Sequence, residues 1–393
     1  MIATINLPRI LRVGAGASRE VATTLQQLGL SRPLLVTDPF MVQCGYAQRI
    51  GDTLAAAAVE YGQFSDSVPD PTTDSIDAGL SALRAGDYDC LLALGGGSAI
   101  DTAKAIAVMH SRPGALCDYK VPHSLDSGLP VIAIPTTAGT GSEVTRAAVI
   151  TDSASSEKML CMGLGLMPVA ALVDYELTLT MPYRLTADTG LDGLCHALEA
   201  FVSRKANAFT DGIAVAAMSA IHRHIRSACA QPDNIEAREA MMLAATQGGM
   251  AFSNASVTLI HGMSRPIGGL FHVPHGLSNA MLLPEVTAWS VEHASERYAT
   301  AARAMGLAGN RDTDAVALDK LVQGLRQLNA DLSVPTPEEY GIDESSWHSA
   351  LPRMAEQALA SGSPANNPRV PDVEQIIGLY QRVWKAPDTP ACR

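Results

Sequence analysis

LLALGGGSAIDTAKAIAV, residues 91–108, joins a short apolar run to an Ala- and Ile-rich segment through three consecutive glycines. The apolar run at 90–94 predicts a buried strand, and the residues from Ala99 onward predict a helix. Glycines let backbone N–H groups approach a phosphate closely, and the N-terminus of a helix favours negative charge. One glycine would suffice for a tight turn, so three favour phosphate binding over a turn without a ligand, although G-x-G-x-x-G is absent. The candidate phosphate-binding residues are Gly95, Gly96, Gly97 and Ser98.

Short apolar runs alternate with helical patterns up to about residue 182. The predicted strands are 10–13, 34–37, 90–94, 131–134 and 170–173, and the predicted helices are 18–28, 43–58, 75–85 and 99–109. Residues 148–152 and 157–162 are expected to pair as a small antiparallel element. This alternation predicts a Rossmann-like α/β domain with a mostly parallel sheet and helices on both faces.

Strand-like runs stop after Pro182, and helical spacing takes over. The predicted helices are 184–203, 209–229, 234–250, 289–305, 313–329, 343–361 and 370–384. We therefore predict two domains, an α/β domain at 1–182 and an all-helical domain at 183–393, with the active site in the cleft between them.

Four residues of the second domain form a candidate metal site. Asp192 and His196, in LDGLCHALEAF, are four apart in a helical pattern, which puts both side chains on one face. His261 and His275 bound HGMSRPIGGLFHVPH, a Gly-rich, Pro-interrupted stretch that can fold back toward that helix. One carboxylate and three imidazoles suit a divalent transition metal such as Fe or Zn. The alternative is that the Asp–His pair is a capping or surface hydrogen bond and that the other two histidines are structural.

Small polar residues suggest further cofactor contacts. IPTTAGTGSEVTRAAVITD, residues 134–152, carries hydroxyls that could bind a ribose or a phosphate, or could simply form turns. These hydroxyls are Thr136, Thr137, Thr140 and Ser142. Asp38 follows the strand at 34–37, where its carboxylate could bind the 2′-OH of NAD and repel the 2′-phosphate of NADP. Its alternative role is to begin the turn before Pro39.

GGGSAIDTAK, IPTTAGTGSEVT, DGLCHALE and HGMSRPIGGLFHVPHG, in that order and spacing, resemble the iron-containing (group III) alcohol dehydrogenase family. The resemblance runs from the N-terminal strand to residues 367–369. It implies a fold like that of dehydroquinate synthase, an NAD(P)-dependent reaction and one Fe²⁺ or Zn²⁺. By this resemblance the metal ligands are Asp192, His196, His261 and His275, and the first domain binds the dinucleotide through residues 95–98 and the threonines. Asp101 and Lys158 complete the candidate cofactor-binding residues.

One position departs from the family pattern. The family commonly carries a histidine four residues after the third ligand, and here that residue is Arg265. Arginine cannot carry a proton near neutral pH, because its pKa stays above ~12. His272 is then the nearest alternative carrier. Arg265 could bind an acid group on the substrate, or it could turn away and pair with a carboxylate or a helix C-terminus.

Composition limits the partners of the chain. Its 393 residues carry a formal net charge of −12, which argues against nucleic acid and anionic membranes. No apolar run reaches the ~18 residues of a membrane span, and the N-terminus lacks the features of a signal peptide. We expect a cytoplasmic homodimer or higher homo-oligomer that acts on small molecules. The seven dispersed cysteines are expected to be reduced: Cys44, Cys90, Cys117, Cys161, Cys195, Cys229 and Cys392.

Three functions remain open at this point. The favoured one is a metal-dependent NAD(P) alcohol dehydrogenase or aldehyde reductase, acting on a small alcohol or aldehyde that could bear an acid group. The second is a lyase or cyclase of the dehydroquinate synthase type, whose Glu/His-based metal site differs from the D-x-x-x-H pattern here. The third is a non-catalytic metal or nucleotide binder, which would not need a complete ligand set.

Overall fold

The computed structural model describes residues 2–155 and 157–385. Its first part contains eight strands and five α-helices. The strands are β1 Ile10–Val13, β2 Pro33–Val36, β3 Gly62–Phe64, β4 Cys90–Gly95, β5 Val131–Pro135, β6 Ala147–Thr151, β7 Lys158–Met162 and β8 Ala170–Val173. The helices are α1 Val21–Leu28, α2 Pro39–Gln43, α3 Tyr46–Ala56, α4 Thr73–Arg84 and α5 Gly97–Met109.

Six of these strands form one parallel sheet in the order β1-β8-β5-β4-β2-β3. β2, β4, β5 and β8 are buried along their whole length, as expected for parallel strands covered by helices on both faces. The strand order reverses beside β2, since β3 lies on one side of it and β4 on the other. A reversal of this kind opens a crevice at the carboxyl ends of the strands, where ligands bind.

The second part is helical throughout. Its helices are α6 Tyr183–Val202, α7 Ala208–Ala230, α8 Ile235–Asn254, α9 Leu259–Phe271, α10 His275–Ser290, α11 Ser295–Ala304, α12 Asp314–Asp331, α13 Pro337–Tyr340, α14 Glu344–Ala360 and α15 Val373–Val383. They share one apolar core, which also includes Ala171 and Val173 of β8, while two other cores lie on the faces of the sheet. The predicted fold class, a parallel α/β part followed by a helical part, is confirmed, and so is the antiparallel pairing of β6 with β7.

Several predicted elements were wrong in detail. The helix predicted at 43–58 begins only at Tyr46, as α3, because Gly45 adopts a left-handed φ of 82°. The preceding α2 was not predicted. β3 was not predicted, because an edge strand of three residues is too short to show a hydrophobic pattern. The helix predicted at 289–305 begins only at Ser295, since its first residues end α10 and continue as a 3₁₀ turn.

The stretch between His261 and His275 is also more regular than its glycines and prolines suggested. It forms α9, with Pro266 inside the helix, and α10 then begins at His275 itself. α9 packs against α6, α10 and α14, so burial of its apolar side chains overrides the weak helix propensity of its sequence.

Two smaller expectations concern cysteines and membranes. The six cysteines within the described residues are free thiols, and Cys392 lies outside those residues. Within the same residues, none of the helices combines the length and apolar character of a membrane span.

The two parts of the chain meet at a close backbone contact. A Cβ added at Gly249 of α8 would lie 2.7 Å from the Cα of Gly141, which follows β5 and has a left-handed φ of 63°. Neither chain segment can therefore carry a side chain here without moving apart from the other.

We expect Gly249→Ala to destabilise the protein by roughly 1–3 kcal/mol, because the added methyl group meets backbone atoms. Gly212→Ala is the matched control: Gly212 lies within α7, its added Cβ would meet no atom within 4 Å other than the backbone of its own helix, and alanine favours the helix. Melting temperatures measured by circular dichroism should therefore move down for the first variant and slightly up for the second. Equal melting temperatures would contradict the close contact.

Candidate metal and cofactor site

α6 supplies the first two residues of the candidate metal site. Asp192 and His196 lie one turn apart inside the helix and are 2% and 4% exposed, respectively. The Nε2 atom of His196 lies 3.8 Å from Asp192 Oδ1. The ring of Phe252 stacks on the His196 ring with 4.2 Å between centroids, which restricts the imidazole to one orientation.

α9 and the start of α10 bring the other two histidines to the same point. The Nε2 atoms of His261 and His275 lie 3.4 and 3.8 Å from Asp192 Oδ1. Ligand atoms of Asp192, His261 and His275 all lie within 4.8 Å of one another. The loop expected to fold back onto α6 is thus a pair of helices, and it still carries both histidines to Asp192.

In two of the imidazoles, the Nδ1 atom on the side away from Asp192 has its own hydrogen-bond partner. His196 Nδ1 lies 3.2 Å from the carbonyl oxygen of Gly139, which belongs to the turn after β5. His261 Nδ1 bonds Glu199 Oε2. When Nδ1 donates to an oxygen, Nε2 is left unprotonated and free to bind a metal. The surrounding structure therefore selects the tautomers that a metal site requires.

Glu199 was not identified from the sequence. It is 1% exposed and lies seven residues after Asp192, two turns along the same face of α6. Besides His261, it accepts hydrogen bonds at Oε1 from Thr258 Oγ1 and from the backbone N–H of Ile260, both at 2.7 Å. That seven-residue spacing within DGLCHALE was the available signal, but the role of Glu199 depends on α9, which is distant in the sequence.

The charges of the cluster favour a cation at this position. Burial lowers the pKa of His196 to about 4, so its imidazole is neutral at pH 7. Burial alone would raise the pKa of Asp192, but the adjacent histidines hold it below its usual range. Burial also opposes a charge on His261, yet Glu199 and Asp192 raise the pKa of His261 to about 9. Without a metal, a proton on His261 offsets one of the two carboxylate charges.

These observations fit a divalent metal. Ligand atoms of Asp192, His261 and His275 form one close group, and His196, outside that group, places its Nε2 atom 3.8 Å from the same Asp192 oxygen. Gly139 and Glu199 orient two of the imidazoles through Nδ1, and the carboxylate of Asp192 is ionised. Asn279 Nδ2 lies 2.7, 3.2 and 3.3 Å from Asp192 Oδ1, His261 Nε2 and His275 Nε2, so the three ligand atoms face one common point. Asp192, His196, His261 and His275 are therefore able to hold such an ion.

The turn after β4 has the geometry expected of a phosphate site. Gly95 adopts a φ of 148°, and α5 begins at Gly97. A Cβ at Gly97 would lie 3.0 Å from Thr140 Cγ2, and one at Gly96 would lie 3.3 Å from Thr137 Cγ2. The turns after β4 and β5 are thus in contact. Thr137 Oγ1 is buried without a partner among the described groups, as expected for an atom whose ligand is absent.

Asp38 has two roles open to it. Its Oδ1 atom caps α2 by accepting a hydrogen bond of 3.0 Å from the N–H of Met41. Its Oδ2 atom faces the turn after β4 and would lie 3.1 Å from a Cβ on Gly95. The turn role proposed as the alternative is therefore present, and one oxygen remains for a ribose.

Asp101 and Ser142 bind each other. Asp101 Oδ1 accepts a 2.5 Å hydrogen bond from Ser142 Oγ, and Asp101 Oδ2 accepts one of 2.9 Å from the N–H of Val149 in β6. Lys104, which the sequence analysis missed, is buried beside them and donates to Ser142 Oγ at 2.9 Å. Burial lowers the pKa of Lys104 to about 8, and Asp101 and Glu143 oppose that shift. This polar network ties α5 to the turn after β5.

One cavity of about 220 Å³ unites the two sets of residues. The four candidate ligands and Arg265 line it. Its wall also contains six candidate cofactor residues: Gly97, Ser98, Asp101, Thr140, Ser142 and Lys158. Asp38, Gly95, Gly96, Thr136 and Thr137 lie outside its wall. His272 is not brought to the cavity either: it is exposed and ends α9 in a left-handed conformation with a φ of 56°. The geometry therefore gives no support to His272 as a proton carrier.

Two family models match nearly the whole chain. The model described as iron-containing alcohol dehydrogenase matches residues 8–175, and the Fe-containing alcohol dehydrogenase family C-terminal model matches residues 186–384. The chain belongs to the iron-containing alcohol dehydrogenase family. The resemblance drawn from the four sequence motifs is confirmed.

Individual family members align along their full length. The NAD-dependent methanol dehydrogenase of Bacillus methanolicus is 35% identical over 377 residues, which is 95% of this chain and 98% of that protein. The crystal structure of a 1,3-propanediol oxidoreductase superposes with a TM-score of 0.93 at 32% identity, covering 98% of this chain and 100% of the other. The sulfoacetaldehyde reductase of Bifidobacterium kashiwanohense, solved with NAD⁺, superposes with a TM-score of 0.87 at 29% identity, covering 98% and 99%.

We expect Glu199→Gln to lower metal affinity about 10- to 100-fold, because His261 loses the carboxylate that orients its ring. His275→Ala removes a ligand and should abolish most metal binding. Glu356→Gln, on the exposed face of α14, is the matched control and should bind metal like the native protein. Metal content after dialysis and competition with a chelator would measure the three affinities. Native affinity in Glu199→Gln would show that His261 needs no such partner.

Proposed function

We propose that this protein interconverts a small alcohol and its aldehyde, using NAD(H) and a divalent metal, with Fe²⁺ favoured over Zn²⁺. The observation that carries the proposal is the single cavity lined both by the four candidate metal ligands and by Gly97 and Ser98, which begin α5 after the glycine turn. A hydride donor bound at the turn would reach a carbonyl held at the metal ligands within this one space.

Each part of the cavity has a distinct task. Asp192, His196, His261 and His275 hold the metal, with Glu199 fixing the orientation of His261. The backbone of residues 95–98 and the hydroxyls after β5 bind the dinucleotide. When bound, the metal supplies Lewis acidity at the substrate oxygen, and the nicotinamide supplies or accepts the hydride. Phe252 covers His196 on its free face and helps exclude water from this side of the cavity.

The two other functions are less well supported. A lyase or cyclase is not favoured, because both halves of the chain match models of the iron-containing alcohol dehydrogenases. A non-catalytic binder would not require four convergent ligands, three of them buried, together with an orienting Glu199 and cofactor residues in one cavity. The substrates in the names of the relatives are neutral or anionic, so family membership leaves the charge of the substrate open.

We expect the purified, iron-reconstituted protein to oxidise NADH when given short aldehydes, and to reduce NAD⁺ with the matching alcohols. Removing the metal with a chelator should abolish both directions, and Fe²⁺ or Zn²⁺ should restore them. The measurement is the absorbance of NADH over a panel of two- to six-carbon substrates. The proposal fails if metal-loaded protein shows no turnover with any aldehyde or alcohol and either cofactor.

We propose a preference for NAD(H) over NADP(H), caused by the Asp38 carboxylate. Asp38→Gly and Asp38→Asn should both raise the ratio of kcat/KM for NADPH to that for NADH, since both remove the negative charge. Asparagine keeps the cap on α2, and glycine costs only a few tenths of a kcal/mol there, so stability should change little. If the ratio is the same in all three proteins, Asp38 is only a capping residue.

We also propose that the protein is a homodimer in the cytoplasm. Strand β1 is one edge of the sheet and exposes Leu11 and Val13, which are 38% and 46% exposed, so a second copy could cover this edge. The free thiols within the described residues suit a reducing compartment. Light scattering of the purified protein would test the dimer, and a monomer mass at micromolar concentration would refute it.

A further inference from the structure

Arg265 points to the chemical class of the substrate. It lies on α9 one turn after the candidate ligand His261, on the same face, and it lines the cavity that contains all four ligands. Within the described residues its guanidinium forms no hydrogen bond and no ion pair, and Glu199 is the acidic group that influences it electrostatically. The alternative predicted from the sequence was that Arg265 pairs with a carboxylate or with a helix C-terminus. No such pairing is observed within the described residues.

The nearby carboxylates are already occupied. Glu199 accepts three hydrogen bonds shorter than 3 Å, from Thr258, Ile260 and His261. Asp192 Oδ1 accepts one of 2.7 Å from Asn279 and faces the histidines. Burial lowers the pKa of Arg265, but a guanidinium remains charged at neutral pH. Arg265 therefore lines the cavity without a hydrogen bond or ion pair to an anion of the described residues, so its guanidinium is available to an anionic group of a ligand.

A second cavity, of about 490 Å³, adjoins the first and shares Lys158, Leu160 and Arg265 with it. Its wall adds Lys120 and Arg353, while Glu157 is its one carboxylate among the described lining residues. Lys120 pairs with Glu157 at 2.7 Å, and Lys158 pairs with Asp70 at 2.9 Å. Arg353, exposed on α14, and Arg265 remain without such partners among the described residues. On a chain of net charge −12, this is a local positive path toward the metal ligands.

We propose that Arg265 binds a terminal anionic group, a carboxylate or sulfonate, on the substrate aldehyde or alcohol, and that the adjoining cavity is the path by which this anion enters. The inference rests on the proposed function and narrows its substrate class. A guanidinium binds such groups through two parallel hydrogen bonds. It would therefore select substrates by their charge and fix their orientation in the cavity. During reduction the carbonyl carbon gains hydride from NADH, the oxygen gains a proton from water, and the anionic group is unchanged.

The test compares substrates of equal chain length that differ in the terminal charge. The pairs are 4-oxobutanoate with butanal and 5-oxopentanoate with pentanal, and the measured quantity is the ratio of kcat/KM for the anionic member to that for the neutral one. We expect the native enzyme to favour the anionic member. In Arg265→Gln this ratio should fall about 10- to 100-fold, mainly through KM, and Arg265→Lys should recover part of it. Arg382→Gln, on the exposed surface of α15, is the matched control and should keep the native ratio.

A second measurement separates this inference from the proposed function. Succinate lacks an aldehyde, so its binding to the metal-loaded protein, followed by calorimetry, needs no turnover. Binding that is lost in Arg265→Gln and kept in Arg382→Gln supports the anion site even if no aldehyde is reduced. The affinity should also fall as the salt concentration rises.

Two results would overturn the inference. One is a native enzyme that reduces neutral aldehydes as well as or better than their anionic partners, which would leave the proposed dehydrogenase function intact. The other is an equal loss on both substrates in Arg265→Gln together with unchanged succinate binding, which would assign Arg265 a role in maintaining the structure.

Discussion

The burial of two carboxylates on one helix is the constraint on which the rest of the site depends. Asp192 and Glu199, two turns apart on α6, are 2% and 1% exposed. Two buried negative charges are tolerated only when cations or strong donors satisfy them. His261 lies between them and contacts both, so α9 must cross α6 at this point. A metal bound at the Nε2 side would replace the proton on His261 and couple metal binding to the stability of the helical part.

The cavity exists because the two parts of the chain approach each other through small residues. Gly139 and Gly141, after β5, come into backbone contact with α6 and α8, where even one methyl group would not fit. The same turn places the carbonyl of Gly139 against His196 and the hydroxyls of its threonines beside the turn after β4. Cofactor residues and metal ligands thus share one short segment, and a shift in one set would move the other.

Charge on the cavity wall distinguishes this chain from the family pattern. A histidine at position 265 would be neutral or exchange protons, whereas Arg265 adds a permanent positive charge beside the metal ligands. The metal and the arginine repel each other unless an anion lies between or beside them. Arg265 therefore replaces a possible proton carrier with a group that can recognise an anion. The adjoining cavity, which Arg265 also lines, continues from the site toward the exposed Arg353.

The sequence alone determined the features that depend on local spacing. The strand, glycine turn and helix at 90–109, and the placement of Asp192 and His196 on one helix face, follow from residues that are neighbours in the chain. Only the tertiary structure decided that the Gly- and Pro-containing stretch of α9 is helical, because its burial against α6, α10 and α14 outweighs local propensity. Tertiary structure also assigned Glu199 to His261, left His272 in solvent and left Arg265 without a partner among the described residues. Each of these depends on segments far apart in the sequence, which no local pattern can bring together.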